Sequence, residues 1–229
     1  YDMEKKIIAA LQECPLFDGL TAGEIEGALT AVGYSLVRLD KNDIYAFTGS
    51  RCLYADIVVE GEMTARMGGP SGKFVQMADL RPSALLAPAF IFSKDNRMPV
   101  SIETNKATTI LRMRPTQLKE MMVNDDRILM NFVGQLSDTS SFLTKKVRML
   151  TLLSVREKVA AFLFKESKEH QSNTFTLTQS RQEIADSFAI QKFSLQRCLN
   201  EFADEGIIRL EGKTITILDM KKIARHAGC

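Results

Sequence analysis

Apolar positions change their spacing several times along the chain, and each change marks a different kind of element. Between residues 3 and 31 they recur at helical spacing in pieces. Ile7, Ile8 and Leu11 form one stripe and Pro15 breaks it. Thr21-Ala22-Gly23-Glu24 then offers a capped helix start, with the glutamate three residues beyond the cap. From residue 34 to about 113 the texture is short runs of β-branched and aromatic residues, at 34–39, 55–59, 62–67, 73–77 and 108–113, punctuated by turns such as Gly68-Gly69-Pro70. Strands this short predict a barrel or jelly roll. Pro115, tolerated in a first helical turn, reopens helix.

From 126 to about 150 the apolar positions follow a heptad: Leu129, Phe132, Leu136, Thr139, Leu143, then Lys146 or Val147, and Leu150. A seam of that length predicts a helix paired with a copy of itself, roughly 37 Å long at 1.5 Å per residue. Ser137, Ser140 and Ser141 allow close approach. Residues 151–154 read as a hinge, and a helix over about 155–168 presents Val159, Phe162 and Leu163. A short strand is expected at 174–177.

Next comes Ser180-Arg181-Gln182-Glu183, an S-x-x-E capping box that places a helix start near Arg181. After a break at 188–190, Leu195, Cys198, Leu199 and Phe202 share one helical face. Lys192, Phe193, Gln196, Arg197 and Asn200 share the other. A wet face of that chemistry can neutralise phosphate and read base edges, which makes the pair a candidate DNA-binding helix-turn-helix. Gly206 reads as a helix stop, and the alternating runs 207–210 and 214–218 around Glu211-Gly212-Lys213 read as a hairpin wing.

Composition narrows this picture in two ways. The net charge of +2 is weak, but from Ser154 onward twelve Lys and Arg stand against ten Asp and Glu, so the excess falls in the last third. The four cysteines, Cys14, Cys52, Cys198 and Cys229, form no C-x-x-C pair, which gives no zinc site and no disulfide framework. No run is long and apolar enough for a membrane span and the amino end lacks a signal-peptide order, so the expectation is a soluble, cytoplasmic protein. No G-x-S-x-G, P-loop, H-E-x-x-H or G-x-G-x-x-G occurs, and no enzyme is expected.

The order of parts resembles the family of the cyclic AMP receptor protein and the fumarate-nitrate regulator. The likeness rests on Arg181-Gln182-Glu183-Ile184-Ala185, on Leu195-Gln196-Arg197 and on Glu205-Gly206-Ile207-Ile208 with Gly212-Lys213-Thr214-Ile215. A further match is Val123-Asn124-Asp125-Asp126-Arg127-Ile128-Leu129-Met130. It implies an α+β chain: an N-terminal β-roll like cyclic-nucleotide-binding domains (1–125, with flanking helices), a long dimerisation helix and hinge (126–153), and a C-terminal winged helix-turn-helix (154–229). It further implies a homodimeric transcription regulator on a near-palindromic duplex site, with RNA polymerase a further candidate partner. The DNA-facing set is then Ser180, Arg181, Gln182, Gln191, Lys192, Phe193, Ser194, Gln196, Arg197 and Lys213. In it Arg181 and Gln182 look like backbone anchors, and Arg197 suits guanine O6 and N7.

Two departures from the family matter. Where it usually has an acidic or amide residue, this chain has Phe193, which predicts a different half-site. In the roll the family's nucleotide binders carry a Gly-Glu pair and an Arg-Ser or Arg-Thr pair, whereas here the matching positions look like Ala87-Pro88 and Met98-Pro99, with Arg97 one residue off. No useful cyclic AMP affinity is expected. The candidate effector pocket is Met63, Ala87, Pro88, Arg97, Met98 and Pro99, and its apolar character suits a non-nucleotide ligand. Only Cys14 and Cys52 precede the long helix, too few for the family's iron-sulfur cluster. Haem stays open, with Cys52, Met63, Met67 or Met98 as the axial candidates, because His170 and His226 both lie in the DNA-binding part. The competing class is a protein-interaction module with a vestigial DNA-binding domain.

Overall fold

The computed structural model describes residues 2–69 and 74–228, so Tyr1, Lys73, Cys229 and the proline of the expected Gly68-Gly69-Pro70 turn lie outside the described residues. The chain divides into two compact units, Tyr1–Thr139 and Ser140–Cys229.

The first unit opens with helix α1 (Asp2–Gln12), a 3-10 turn (Pro15–Phe17) and α2 (Ala22–Val32). Thr21 caps α2 reciprocally with Glu24: Thr21 N donates to Glu24 Oε2 at 2.8 Å and Glu24 N to Thr21 Oγ1 at 3.3 Å. Then follow β1 (Ser35–Leu39), β2 (Ile44–Ala46), β3 (Ala55–Glu60), β4 (Met63–Gly68), β5 (Phe74–Leu80), a single-turn α3 (Pro88–Ile91), β6 (Ser101–Thr104), β7 (Thr108–Met113), α4 (Pro115–Asn124) and the start of α5 (Asp126–Leu152). The strands form two antiparallel sheets, ordered β1-β7-β3 and β2-β6-β4-β5. Ile57, Ile110 and Leu111 of one sheet and Met63 and Ile102 of the other share one core with Leu11, Phe17 and Ile25 from the leading helices. This is the expected β-roll. The short strands β2 and β6 and the turn α3 were not among its predicted elements.

Inside the roll stands one charged pair. Asp56 is fully buried; Arg112 Nε and Nη2 donate to its two oxygens at 3.1 and 2.7 Å, and Tyr45 Oη donates to Oδ2 at 2.8 Å. Asp56 and Arg112 face each other across β3 and β7, while Tyr45 comes from the other sheet, so the carboxylate ties the sheets together with its charge compensated.

α5 runs for 27 residues and continues through Thr151 and Leu152, so the break before the next helix is only Leu153 and Ser154. The expected seam is corrected at Phe132, and with it the line of exposed positions shifts. Phe132 is 5% exposed and meets the Phe92 ring edge-on at 5.7 Å, because the roll's own core claims that face of the helix. The next residue, Val133, is exposed, as are Leu129, Ser140, Leu143 and Val147, while Leu136 and Leu150 are partly so. The open stripe is therefore Leu129, Val133, Leu136, Ser140, Leu143, Val147, Leu150, which keeps the heptad and shifts alternate members by one residue; Thr139, also exposed, flanks it.

The second unit adds α6 (Val155–Glu169), β8 (Thr174–Thr176), α7 (Arg181–Ser187), α8 (Lys192–Asp204), β9 (Ile208–Glu211), β10 (Thr214–Ile217) and α9 (Met220–Ala227). Its antiparallel sheet is ordered β8-β10-β9. Val159, Leu163, Ile184, Leu199, Phe202, Ile215 and Ile223 close the core. Together the two units make the α+β architecture expected from the sequence. Among the described residues, no helix is long and apolar enough to cross a membrane.

Candidate nucleic-acid interface

Ser180 and Glu183 set the start of α7 by a reciprocal cap, with Ser180 N donating to Glu183 Oε2 at 2.6 Å and Glu183 N to Ser180 Oγ at 3.2 Å. The Ser180 N–H in particular holds the Glu183 carboxyl below its usual range. α7 ends at Phe188, and Ala189 takes a left-handed φ of 52° that turns the chain toward α8. Phe188 is buried edge-on against Phe162 at 5.7 Å, which anchors the elbow between the two helices.

Leu195, Cys198, Leu199 and Phe202 fix the inner face of α8. Burial pushes the Cys198 thiol up to about 11, so it serves as a small apolar side chain. The opposite face carries Gln191, Lys192, Phe193 and Arg197 in the open, with Ser194 and Gln196 half-buried. Phe193 is 75% exposed. Gln196 Nε2 donates to Asn200 Oδ1 at 3.0 Å and Arg197 stands 3.7 Å from Glu201, one turn on. Two acids at the far end of α8 are engaged: Arg156 Nη2 contacts Glu205 at 2.5 Å and Nη1 stands 3.8 Å from Glu201, with its guanidinium 4.4 Å above the Phe202 ring. Glu201 is thereby shared between Arg156 and Arg197.

The wing is the β9–β10 hairpin, turned at Gly212 with φ 63° and Lys213, whose side chain is exposed. Arg181 reaches it. Its Nη2 donates to the Gly212 carbonyl at 3.2 Å, and Nη1 is buried with no protein partner. The expected backbone anchor is thus a half-buried brace between α7 and the wing, because burial has taken its guanidinium out of water and lowered its pKa. Gln182 remains exposed, its amide donating to Asp186 at 2.8 Å.

In the roll, the structure divides the six candidate pocket residues. Met63 and Met98 are buried in the core; Ala87, at a left-handed φ of 47°, and Pro88 start α3, partly exposed. Arg97 and Pro99 are exposed, and Arg97 donates to the Gly49 carbonyl at 3.4 Å and pairs with Asp95 at 3.9 Å. The sequence reading passed over Lys158 and placed Lys146 only as an alternative seam position. Lys158 is buried with its ammonium on the carbonyls of Leu150 and Phe188, and Lys146 donates to the Ser187 carbonyl at 2.9 Å. Their place on amphipathic helices hid them, since a lysine at helical spacing reads as a solvated side chain.

Residues 157–226, which span α6, the helix-turn-helix and the wing, match the Crp-like helix-turn-helix domain. The carboxyl-terminal part of the chain is thus a Crp-like helix-turn-helix domain. The chain is 20% identical over 178 residues to the cAMP-activated global transcriptional regulator Vfr of Pseudomonas aeruginosa, covering 75% of this chain and 83% of Vfr. It is 25% identical over 183 residues to the CRP-like cAMP-activated global transcriptional regulator of Mycobacterium tuberculosis, covering 75% and 78%. The Catabolite Activator Protein of Thermus thermophilus shares the fold, with a TM-score of 0.57 and 18% identity over 93% of this chain and 98% of that one. The chain resembles Crp/Fnr-type DNA-binding transcription regulators.

Proposed function

We propose that this regulator works as a homodimer paired along the exposed stripe of α5, that each α8 enters a major groove of one near-palindromic site, and that the roll senses a small ligand other than cyclic AMP. The observation that carries the DNA reading is the face of α8: Lys192, Phe193 and Arg197 project from a helix whose other side is locked into the domain core. Lys192 serves a phosphate or a base, Arg197 suits guanine in bidentate fashion, and the bare Phe193 ring suits a thymine methyl. Arg181 acts through the wing, holding Gly212 so that Lys213 meets the backbone.

The two relatives named above are cAMP-activated. In this chain the positions that resemble the nucleotide-binding pairs hold Ala87-Pro88 and Met98-Pro99, leaving a cyclic phosphate without a matching cation there. Of the residues raised for haem, Met63 and Met98 fill the core, the Cys52 thiol, raised by burial, is 3.6 Å from the Tyr54 carbonyl, and Met67 is exposed. A ligand in the roll would shift the population between two arrangements of the reading heads, and their spacing sets affinity.

Fluorescence anisotropy of a labelled duplex against the full chain tests the DNA reading. Binding should weaken steeply with salt, and Lys192→Ala should flatten the slope by about one unit, the signature of one lost phosphate contact. Salt-independent binding, or an unchanged slope with unchanged affinity in Lys192→Ala, contradicts it.

A further inference from the structure

The second unit contains a cavity of about 700 Å³ that the DNA reading does not use. It lies between the last turns of α5, the outer face of α6 and the helix-turn-helix elbow, within the size range of small-ligand sites. Phe142 and Met149 of α5, Phe162 of α6 and Phe188 of the elbow supply an apolar lining.

Its polar edge is unbalanced. Lys145, Lys146 and Lys165 line it, against Glu166 and Glu169. The two acids have partners: Glu169 stands 3.5 Å from Lys165, and Glu166 3.8 Å from His170. Among the described residues, no carboxylate lies within ion-pair distance of Lys146; its ammonium rests on the Ser187 carbonyl at 2.9 Å and lies 5.9 Å from the Phe188 ring centre. Burial, and after it the neighbouring Lys165, holds its pKa below the usual lysine value. A cation in that position gains from an anion, and the lining beside it gains from an apolar body.

We propose that this cavity binds an amphipathic organic anion, a medium-chain carboxylate, with its head at Lys146 and its chain over Phe142, Met149, Phe162 and Phe188. The site is separate from the six roll residues considered above. Its wall includes the elbow that sets the angle between α7 and α8, so an occupant bears on the reading helix directly.

The inference stands apart from the DNA reading, because binding is measured without DNA. The full chain is titrated with decanoate, followed by calorimetry and by the imidazole proton resonances. The chain has two histidines, of which His170 lines the cavity while His226 packs on Phe202 outside it. Saturable binding that moves the His170 signal and leaves His226 in place is expected, with decanol giving no comparable response. Lys146→Met should bind at least about tenfold more weakly, through loss of a charge-assisted hydrogen bond. Met149→Trp, which fills the apolar end and leaves every charge in place, should abolish binding and decides the matter if Lys146→Met does not fold. A static His170, equal binding of decanol, or decanoate affinity unchanged in either folded variant overturns the proposal.

Discussion

The ammonium of Lys158 donates to the carbonyl of Phe188 at 3.3 Å, and the same nitrogen donates to the Leu150 carbonyl at 3.0 Å. One buried side chain thus ties the end of α5 to the elbow of the helix-turn-helix. At 6% exposure, water cannot replace those bonds. Lys158→Met keeps the apolar stem and strands two acceptors, so the unit should lose about 1–3 kcal/mol, read as a lower urea midpoint. An unchanged midpoint would show that the carbonyls find other partners.

Phe193 makes a prediction in which stability and recognition part company. Its exposure means that Phe193→Ala should change folding stability by no more than about 0.5 kcal/mol. On the preferred duplex the same change should relax discrimination at one position per half-site, by about 1–3 kcal/mol for the best base. Competition anisotropy over single-base variants measures this. Loss spread evenly over all positions would make the ring a folding or packing element.

The corrected stripe on α5 separates the roles of Leu143 and Phe132. Leu143→Asp, at an exposed position, should give a monomer by light scattering with the fold intact by circular dichroism. Phe132→Ala should remain a dimer and lose about 3–5 kcal/mol of stability from its own core. The opposite pattern would restore Phe132 to the seam.

Acid should weaken the first unit through Glu24. The Thr21 N–H, then the Arg127 side chain 3.0 Å away, lower its pKa from 4.5 to about 2. Since the folded value lies below the unfolded one, its contribution is complete above about 4.5 and is lost as pH falls toward about 2. Melting curves from about pH 6 downward should fall more steeply for the wild type than for Glu24→Gln. Parallel curves would remove Glu24 from the account.

Elements with a long period or a capping signature were legible in the sequence. Ser180 with Glu183, and Thr21 with Glu24, announce α7 and α2, and the heptad announces α5. β2 and β6 were not, since three or four residues such as Ser101–Thr104 carry too few alternations to distinguish a strand from a loop. α9 was missed as well: Asp219, its cap, accepts from Lys222 N at 3.0 Å, but only Ile223 of the helix is buried. Within the candidate interface the reading face of α8 could be read from its polar side. The turn of Arg181 to Gly212, and the claim of the roll on Phe132, depend on partners 31 and 40 residues away that no local pattern encodes.

The central claim, that paired α8 helices read DNA, is tested most directly by selecting bound duplexes from random sequence with the full chain. An enriched inverted repeat is predicted, its half-sites roughly 34 Å or about ten base pairs apart centre to centre, and Arg197→Ala should erase its best-conserved guanine. Recovery of no motif, or of a motif that survives both Arg197→Ala and Phe193→Ala unchanged, would contradict the account.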